Sequence, residues 1–203
     1  MDQTMKITHH EKPWEYVVID DFLSPERFEH IQDLAIQELG RYQVIGPNTP
    51  RGKYQRYTDV DLLPEVTLDI MKLLPHREYD DLVKLNHWAI LPPNLKYPTH
   101  VDNISRIHTF TFYIAPEKNV GTILCNNPST NDDGDHGQPD QSTICEYPVQ
   151  WKTNRAFVHN PSPMKWHRYE SDDTVRINLS VFFADPTKIK PNRHEQLPYM
   201  MPV

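Results

Sequence analysis

The spacing of apolar residues divides the chain into a helical first part and a strand-rich second part. Tyr16–Asp20 (YVVID) is a short β-branched run that reads as a strand. Ser24 then stands where a helix N-cap belongs, with Pro25 at the first helical position. Phe28, Ile31, Ala35 and Leu39 recur on one helical face behind it, and Gly40 is the expected stop. A second helix is expected over about residues 64–74, with Val66, Ile70, Leu73 and Leu74 as its buried stripe and Pro75 ending it. Beyond residue 80 the pattern changes to strands. LNHWAIL, SRIHTFTFYIA, GTILCNN, STICEYP, RAFVHN and TVRINLSVFFA are alternating or β-branched runs separated by Pro, Asn, Asp and Gly clusters.

Helices first and many strands afterwards predict a mainly β fold with flanking helices, a twisted sandwich or jelly roll. At 203 residues the chain is expected to form one domain, 1–203, with helical support mostly in 1–80, a β-barrel core over about 84–185 and an extended tail over 186–203. Residues 127–142 are polar and turn-rich, and read either as a lid or as a plain solvated loop. Nineteen prolines against six glycines fit many extended connections and abrupt strand ends.

The net charge of −7 and the lack of a Lys/Arg cluster argue against duplex DNA or RNA as a partner, because such affinity comes from phosphate neutralisation. No apolar run approaches bilayer length, and the opening MDQTMKITHHEKPW lacks the apolar stretch of a secretory signal. A cytoplasmic protein without membrane contact is the expectation. Cys125 and Cys145 fit a reducing compartment with both thiols unpaired. Oligomeric state is not legible.

Four residues carry the chemistry: His100 and Asp102 in YPTHVDN, His167 in MKWHRYE, and Arg176 in TVRINLSVFF. Two histidines and one carboxylate can take three adjacent positions on an octahedral ferrous ion and leave the opposite three open for substrate chemistry. An arginine beside such a metal can hold the distal carboxylate of a chelating co-substrate by a charge-assisted, bidentate contact. Residues i and i+2 of an extended segment face one side, so His100 and Asp102 can meet one ion. A lone H-x-D is a weak signal among eleven histidines, and His9-His10-Glu11 offers a rival H-x-E. That rival precedes the first expected strand and has no downstream partner, so it reads as solvated. His87, His108 and His159 read as structural wall residues, and His136 as free in the polar loop. In the last strand Val175, Ile177, Leu179, Val181 and Phe183 alternate with Arg176, Asn178 and Ser180. A solvated polar face accounts for that alternation as well as a ligand site does; a hairpin through RYESDD placing Arg176 beside His167 on paired strands favours the site.

As a set, these residues resemble the 2-oxoglutarate and Fe(II)-dependent oxygenases, and within them the prolyl-hydroxylase-like branch. The ligand pair matches His100 and Asp102, a preceding tyrosine matches Tyr97, and R-x-x-T-x-x-x-Y matches Arg106, Thr109 and Tyr113. The second histidine matches His167, the carboxylate-binding arginine matches Arg176, and the Ser/Thr four residues on matches Ser180. The opening YVVIDDFLSPERFEHI is similar to the family's first strand and helix. Leu91 stands where a tyrosine is usual, and Gly121-Thr122 where Gly-Gly is usual.

The resemblance implies a double-stranded β-helix (jelly roll, cupin-like) in which His100, Asp102 and His167 bind Fe(II), while Arg176, Tyr113 and Ser180 bind 2-oxoglutarate. It also implies consumption of O2 and hydroxylation of an unactivated C–H bond, with release of succinate and CO2. A small-molecule or peptidyl substrate follows, with a prolyl or other amino-acid-like group first. A cupin-like isomerase or a non-catalytic binding module is the alternative.

Overall fold

The computed structural model describes residues 5–74, 82–103, 105–126, 146–188 and 201–202. The segment 127–142, Cys145 and most of the tail lie outside these residues. Two antiparallel sheets face each other. The larger has eight strands: β1 (Lys6–His10), β2 (Tyr16–Asp20), β3 (Tyr54–Thr58), β4 (Val83–Leu91), β5 (Arg106–Ala115), β8 (Arg155–His159), β10 (Arg176–Ala184) and β11 (Met201–Pro202). Their order is β1-β2-β8-β5-β10-β4-β11, with β3 also paired to β4. The smaller sheet is β7-β6-β9, formed by β6 (Thr122–Cys125), β7 (Glu146–Val149) and β9 (Trp166–Tyr169).

The alternation along each strand decides what lies on either side of the large sheet. Trp88 and Ile90 of β4, Phe110, Phe112 and Ile114 of β5, and Ile177, Leu179, Val181 and Phe183 of β10 face the main apolar core. Helix α1 (Pro25–Ile45) covers that face, burying Ile31 and Ala35. The opposite face turns toward the smaller sheet, where Tyr16, Val18, Tyr113 and Phe157 pack with Leu124 and Val149. Each sheet therefore buries its inner surface, and a polar residue there needs a partner or a ligand.

Ser24 caps α1, its hydroxyl accepting from the Arg27 N–H at 3.2 Å, and Pro25 opens the helix as its position required. The helix does not stop at Gly40. It continues because Leu39 and Tyr42 still pack against the core, and it ends at Gly46, whose φ of 74° takes the left-handed region. The second helix is much shorter than expected, a single turn α2 (Leu68–Met71). Val66, Met71 and Leu74 are buried all the same, so the apolar stripe serves an irregular segment as well as a helix.

Strands β1 and β3 were not legible as strands. His9 and His10 lie in β1, paired with β2, so the rival histidines stand in a strand on the edge of the large sheet. Within the tail, Met201–Pro202 adds a short strand to β4. Asn154, at φ 59°, fastens the start of β8 to the start of α1. Its side chain accepts from the Leu23 N–H at 2.9 Å and donates to the Leu23 carbonyl at 2.8 Å. No helix among the described residues is long and apolar enough to cross a membrane.

Candidate active site

His100 lies outside any strand but forms an isolated antiparallel bridge with His167 of β9. Each donates its backbone N–H to the other's carbonyl at 2.9 Å, which brings the two rings to a centroid separation of 4.5 Å. Asp102 follows two residues later, and one ligand atom from each of His100, Asp102 and His167 lies within 4.8 Å of the others. Both histidines use Nδ1 in the same way. Nδ1 of His100 is 2.8 Å from the Pro98 carbonyl and Nδ1 of His167 is 3.2 Å from the Lys165 carbonyl, each two residues back. Those contacts assign the Nδ1–H tautomer and leave each Nε2 with its lone pair, the arrangement a divalent ion requires.

The electrostatics favour the same protonation states. Burial, with the neighbouring His167, holds His100 well below its ordinary pKa, and burial lowers His167 to about 4. Burial pushes Asp102 upward, but the Arg106 guanidinium and the His159 contact outweigh it and hold the carboxyl well below its ordinary range. Arg106 Nη1 donates to Oδ1 at 2.7 Å, the Thr109 hydroxyl donates to Oδ2 at 2.7 Å, and His159 Nε2 lies 3.2 Å from Oδ2. Two neutral imidazoles and one carboxylate at neutral pH are a donor set for a first-row divalent ion, so the residues present fit Fe(II).

The polar face of β10 is not solvated. Arg176, Asn178 and Ser180 are all buried, with Arg176 fully so. The guanidinium donates from Nε to Asn178 Oδ1 at 3.1 Å, from Nη1 to the Glu170 carbonyl at 3.1 Å, and reaches Thr122 Oγ1 from Nη2 at 3.5 Å. Its remaining surroundings are the rings of Trp151, Tyr113 and Tyr169, at 5.1, 5.5 and 5.6 Å. Among the described residues no carboxylate pairs with it. Burying an unpaired guanidinium is costly, and an anionic ligand would remove the cost. The distal carboxylate of 2-oxoglutarate fits that requirement.

Arg176 and His167 do not lie on paired strands as the hairpin reading expected. β9 pairs with β6 in the smaller sheet, while β10 pairs with β4 and β5 in the larger. The two residues stand on different sheets, and the ring of Tyr169 packs against both. Tyr113 is buried and its hydroxyl is committed to Thr122, donating to Oγ1 at 2.8 Å and accepting from the backbone N–H at 3.0 Å. Ser180 sits on the same inner face of β10, in register with His87 of β4 and Thr111 of β5.

Several residues here carried no sequence expectation of a role. Tyr169 donates its hydroxyl to His100 Nε2 at 2.9 Å, and its ring packs near both histidines and the Arg176 guanidinium. Strand parity could have found it, being two residues beyond His167. Thr122 supplies the hydroxyl that Tyr113 and Arg176 share. Trp151 stacks on Tyr113 at 4.6 Å. Lys53 places Nζ 4.7 Å from the Tyr97 ring centroid, and burial together with the Arg106 charge lowers its pKa to about 8.

No protein-family model matches the sequence, and no curated protein does. Solved structures do match. The chain is similar to a Pseudomonas putida prolyl-4-hydroxylase at 15% identity and a TM-score of 0.54, covering 83% of this chain and 91% of that one. It is similar to a Trichoplax adhaerens prolyl hydroxylase, determined with a hypoxia inducible factor peptide fragment, at 15% identity and 0.59, covering 85% and 84%. A third match is the non-haem α-ketoglutarate-dependent epimerase SnoN from nogalamycin biosynthesis, at 13% identity and 0.56, covering 84% and 76%. These likenesses establish the fold: a mainly β jelly roll with flanking helices. On that fold His100, Asp102 and His167 form a two-histidine, one-carboxylate group.

Proposed function

We propose that the protein is a 2-oxoglutarate- and Fe(II)-dependent dioxygenase that hydroxylates an unactivated C–H bond of a prolyl or other amino-acid-like group. The observation that carries the reading is Arg176: a buried guanidinium without a carboxylate partner among the described residues, packed on the ring of Tyr169, which also touches both histidines of a two-histidine, one-carboxylate group. A metal-binding scaffold without oxygen chemistry has no use for that charge.

In this reading His100 and His167, through Nε2, and the Asp102 carboxylate hold the ferrous ion. Arg176 takes the 5-carboxylate of 2-oxoglutarate, with Ser180 and the Tyr113–Thr122 hydroxyl pair on the same wall. When bound, the ion and co-substrate supply the reductive activation of O2. The balance is one substrate C–H, one O2 and one 2-oxoglutarate giving one C–OH, one succinate and one CO2. The chain's own work is orientation. The Pro98 and Lys165 carbonyls fix both imidazoles, Arg106 and Thr109 keep Asp102 ionised and aimed, and the packed rings of Tyr97, Tyr169 and Trp151 restrict water.

Anaerobic calorimetry with Mn(II) followed by 2-oxoglutarate tests the site without turnover. One ion and one co-substrate per chain are expected, with metal binding lost in His167→Gln. Succinate release from 2-oxoglutarate in the presence of Fe(II) and O2 then tests the activity. Tight metal binding without any co-substrate affinity would return the chain to the scaffold reading.

A further inference from the structure

A second cationic group, away from Arg176 in the chain, stands over the aromatic rings beside His100. Residues 46–53 form a braced loop between α1 and β3. The Thr49 hydroxyl donates to the Lys53 carbonyl at 2.8 Å, and the Lys53 N–H donates back to Thr49 Oγ1 at 3.2 Å. Asn48 exchanges side-chain bonds of 2.8 Å with the carbonyl and N–H of Gln55. Gly52 adopts φ 82°, which lets the loop turn against Leu95. A loop pinned at both ends fixes the direction in which Arg51 and Lys53 leave it.

Lys53 is directed at the rings beside the metal group, and Arg51 lies next to it over Tyr97. Lys53 Nζ lies 4.7 Å from the Tyr97 ring centroid and 5.9 Å from that of Tyr169, and the Arg51 guanidinium lies 5.5 Å from Tyr97. Those two rings are the ones that flank His100, each with its centroid 5.1 Å from the imidazole. Among the described residues neither Arg51 nor Lys53 forms an ion pair. Arg27, Arg56, Lys84, Arg106, Arg155 and Arg168, by contrast, each hold a carboxylate. Among the described residues, the carboxylate whose charge acts on Lys53, Asp102, is already taken by Arg106 and Thr109.

We infer that Lys53, with Arg51 beside it, forms a subsite for an anionic group of the primary substrate, so that the substrate class is a molecule bearing a carboxylate or phosphate close to the C–H bond that reacts. The inference rests on the dioxygenase reading, since it places the anion beside a loaded metal site. The face of Tyr97 holds the ammonium in place, and the ammonium supplies selection by charge.

The test uses the full chain loaded anaerobically with Mn(II) and 2-oxoglutarate, in wild-type, Lys53→Met and Lys53→Arg forms. Methionine keeps an apolar stem of similar length on Tyr97, so its effect reports the charge, and melting temperature checks that each variant folds. Two probe pairs are titrated: N-acetyl-L-proline against its methylamide, and N-acetyl-O-phospho-L-serine methylamide against N-acetyl-L-serine methylamide. Wild type should bind the charged member of at least one pair at least about ten-fold more tightly than the neutral one, Lys53→Met should abolish that preference, and Lys53→Arg should restore most of it. Whether the proline or the serine pair responds separates carboxylate from phosphate. Equal binding of charged and neutral members by wild type, or an unchanged preference in Lys53→Met, overturns the inference while the dioxygenase reading stands. Loss of 2-oxoglutarate affinity in Lys53→Met also overturns it, by moving Lys53 to the co-substrate. Failure of wild type to bind Mn(II) and 2-oxoglutarate at all removes both readings together.

Discussion

At the scale of single residues, burial decides what each charged group is for. Arg176 sits in the interior with amide, carbonyl and hydroxyl partners and three aromatic rings, but with no carboxylate among the described residues. Arg176→Ala is therefore expected to weaken 2-oxoglutarate by about 2–5 kcal/mol while leaving Mn(II) affinity nearly unchanged, measured by anaerobic calorimetry. Unaltered co-substrate affinity would make the residue structural. His167 carries a second prediction, for the metal-free protein. Its folded pKa is lowered from 6.5 to about 4 by burial, so between those values the unfolded chain takes up a proton that the folded chain refuses. Stability from this residue is complete above about pH 6.5 and is lost as pH falls toward 4, an effect of about 3 kcal/mol in full. His100 shifts in the same direction. Urea unfolding at pH 7 and pH 5 should show wild type losing about 2 kcal/mol more than His167→Gln. Equal losses would mean that His167 is protonated in the fold. Which side chains gather here was legible from H-x-D spacing and from the Arg176 alternation. Tyr169, Thr122 and Lys53 were not, because their roles depend on neighbours from distant parts of the chain.

Among the elements, local signals fixed where α1 begins and tertiary packing fixed where it ends. Ser24-Pro25 is an N-terminal signal that needs nothing beyond the segment itself. Gly40 is a weak stop, since glycine disfavours a helix interior by only about 1 kcal/mol, and the packing of Leu39 and Tyr42 exceeds that. A Cβ at Gly40 meets no atom within 4 Å. Gly40→Ala should therefore stabilise the protein by about 0.5–1 kcal/mol, read as a higher urea midpoint at unchanged slope. A destabilised alanine variant would indicate that the backbone bends at this residue. α2 is likewise set by packing: Val66 and Leu74 of its stripe are buried and Ile70 and Leu73 partly so, yet only one regular turn forms. β1 and β3 escaped detection because edge strands, with fewer neighbours to bury them, need no strong alternation.

For the whole molecule, the site is a junction between two sheets. His167 belongs to the smaller sheet, Arg176 to the larger, and His100 and Asp102 to a connection bridged to β9. A ligand bound there ties these parts together and favours only the folded state. Mn(II) with 2-oxoglutarate, each at 100 times its dissociation constant, should add about 2.7 kcal/mol per ligand and raise the melting temperature by roughly 5–10 °C for each. Chelation of the metal should reverse the metal's share. His167→Gln should remove the response to Mn(II); a full response in that variant would locate the metal elsewhere.

Sequence alone determined the strand-rich second half and the capped first helix, because periodicity and caps act within a few residues of the chain; His100 and Asp102 were legible only as an H-x-D spacing, and they meet outside any strand. The alternation of β10 marked Arg176, Asn178 and Ser180 as one face, yet water and a ligand pocket satisfy the same alternation equally well. Only the tertiary structure decided between them, by laying the smaller sheet over that face and burying it. It also decided the pairing of β9 with β6 in place of β10, a choice made by long-range packing between sheets, which no local pattern encodes.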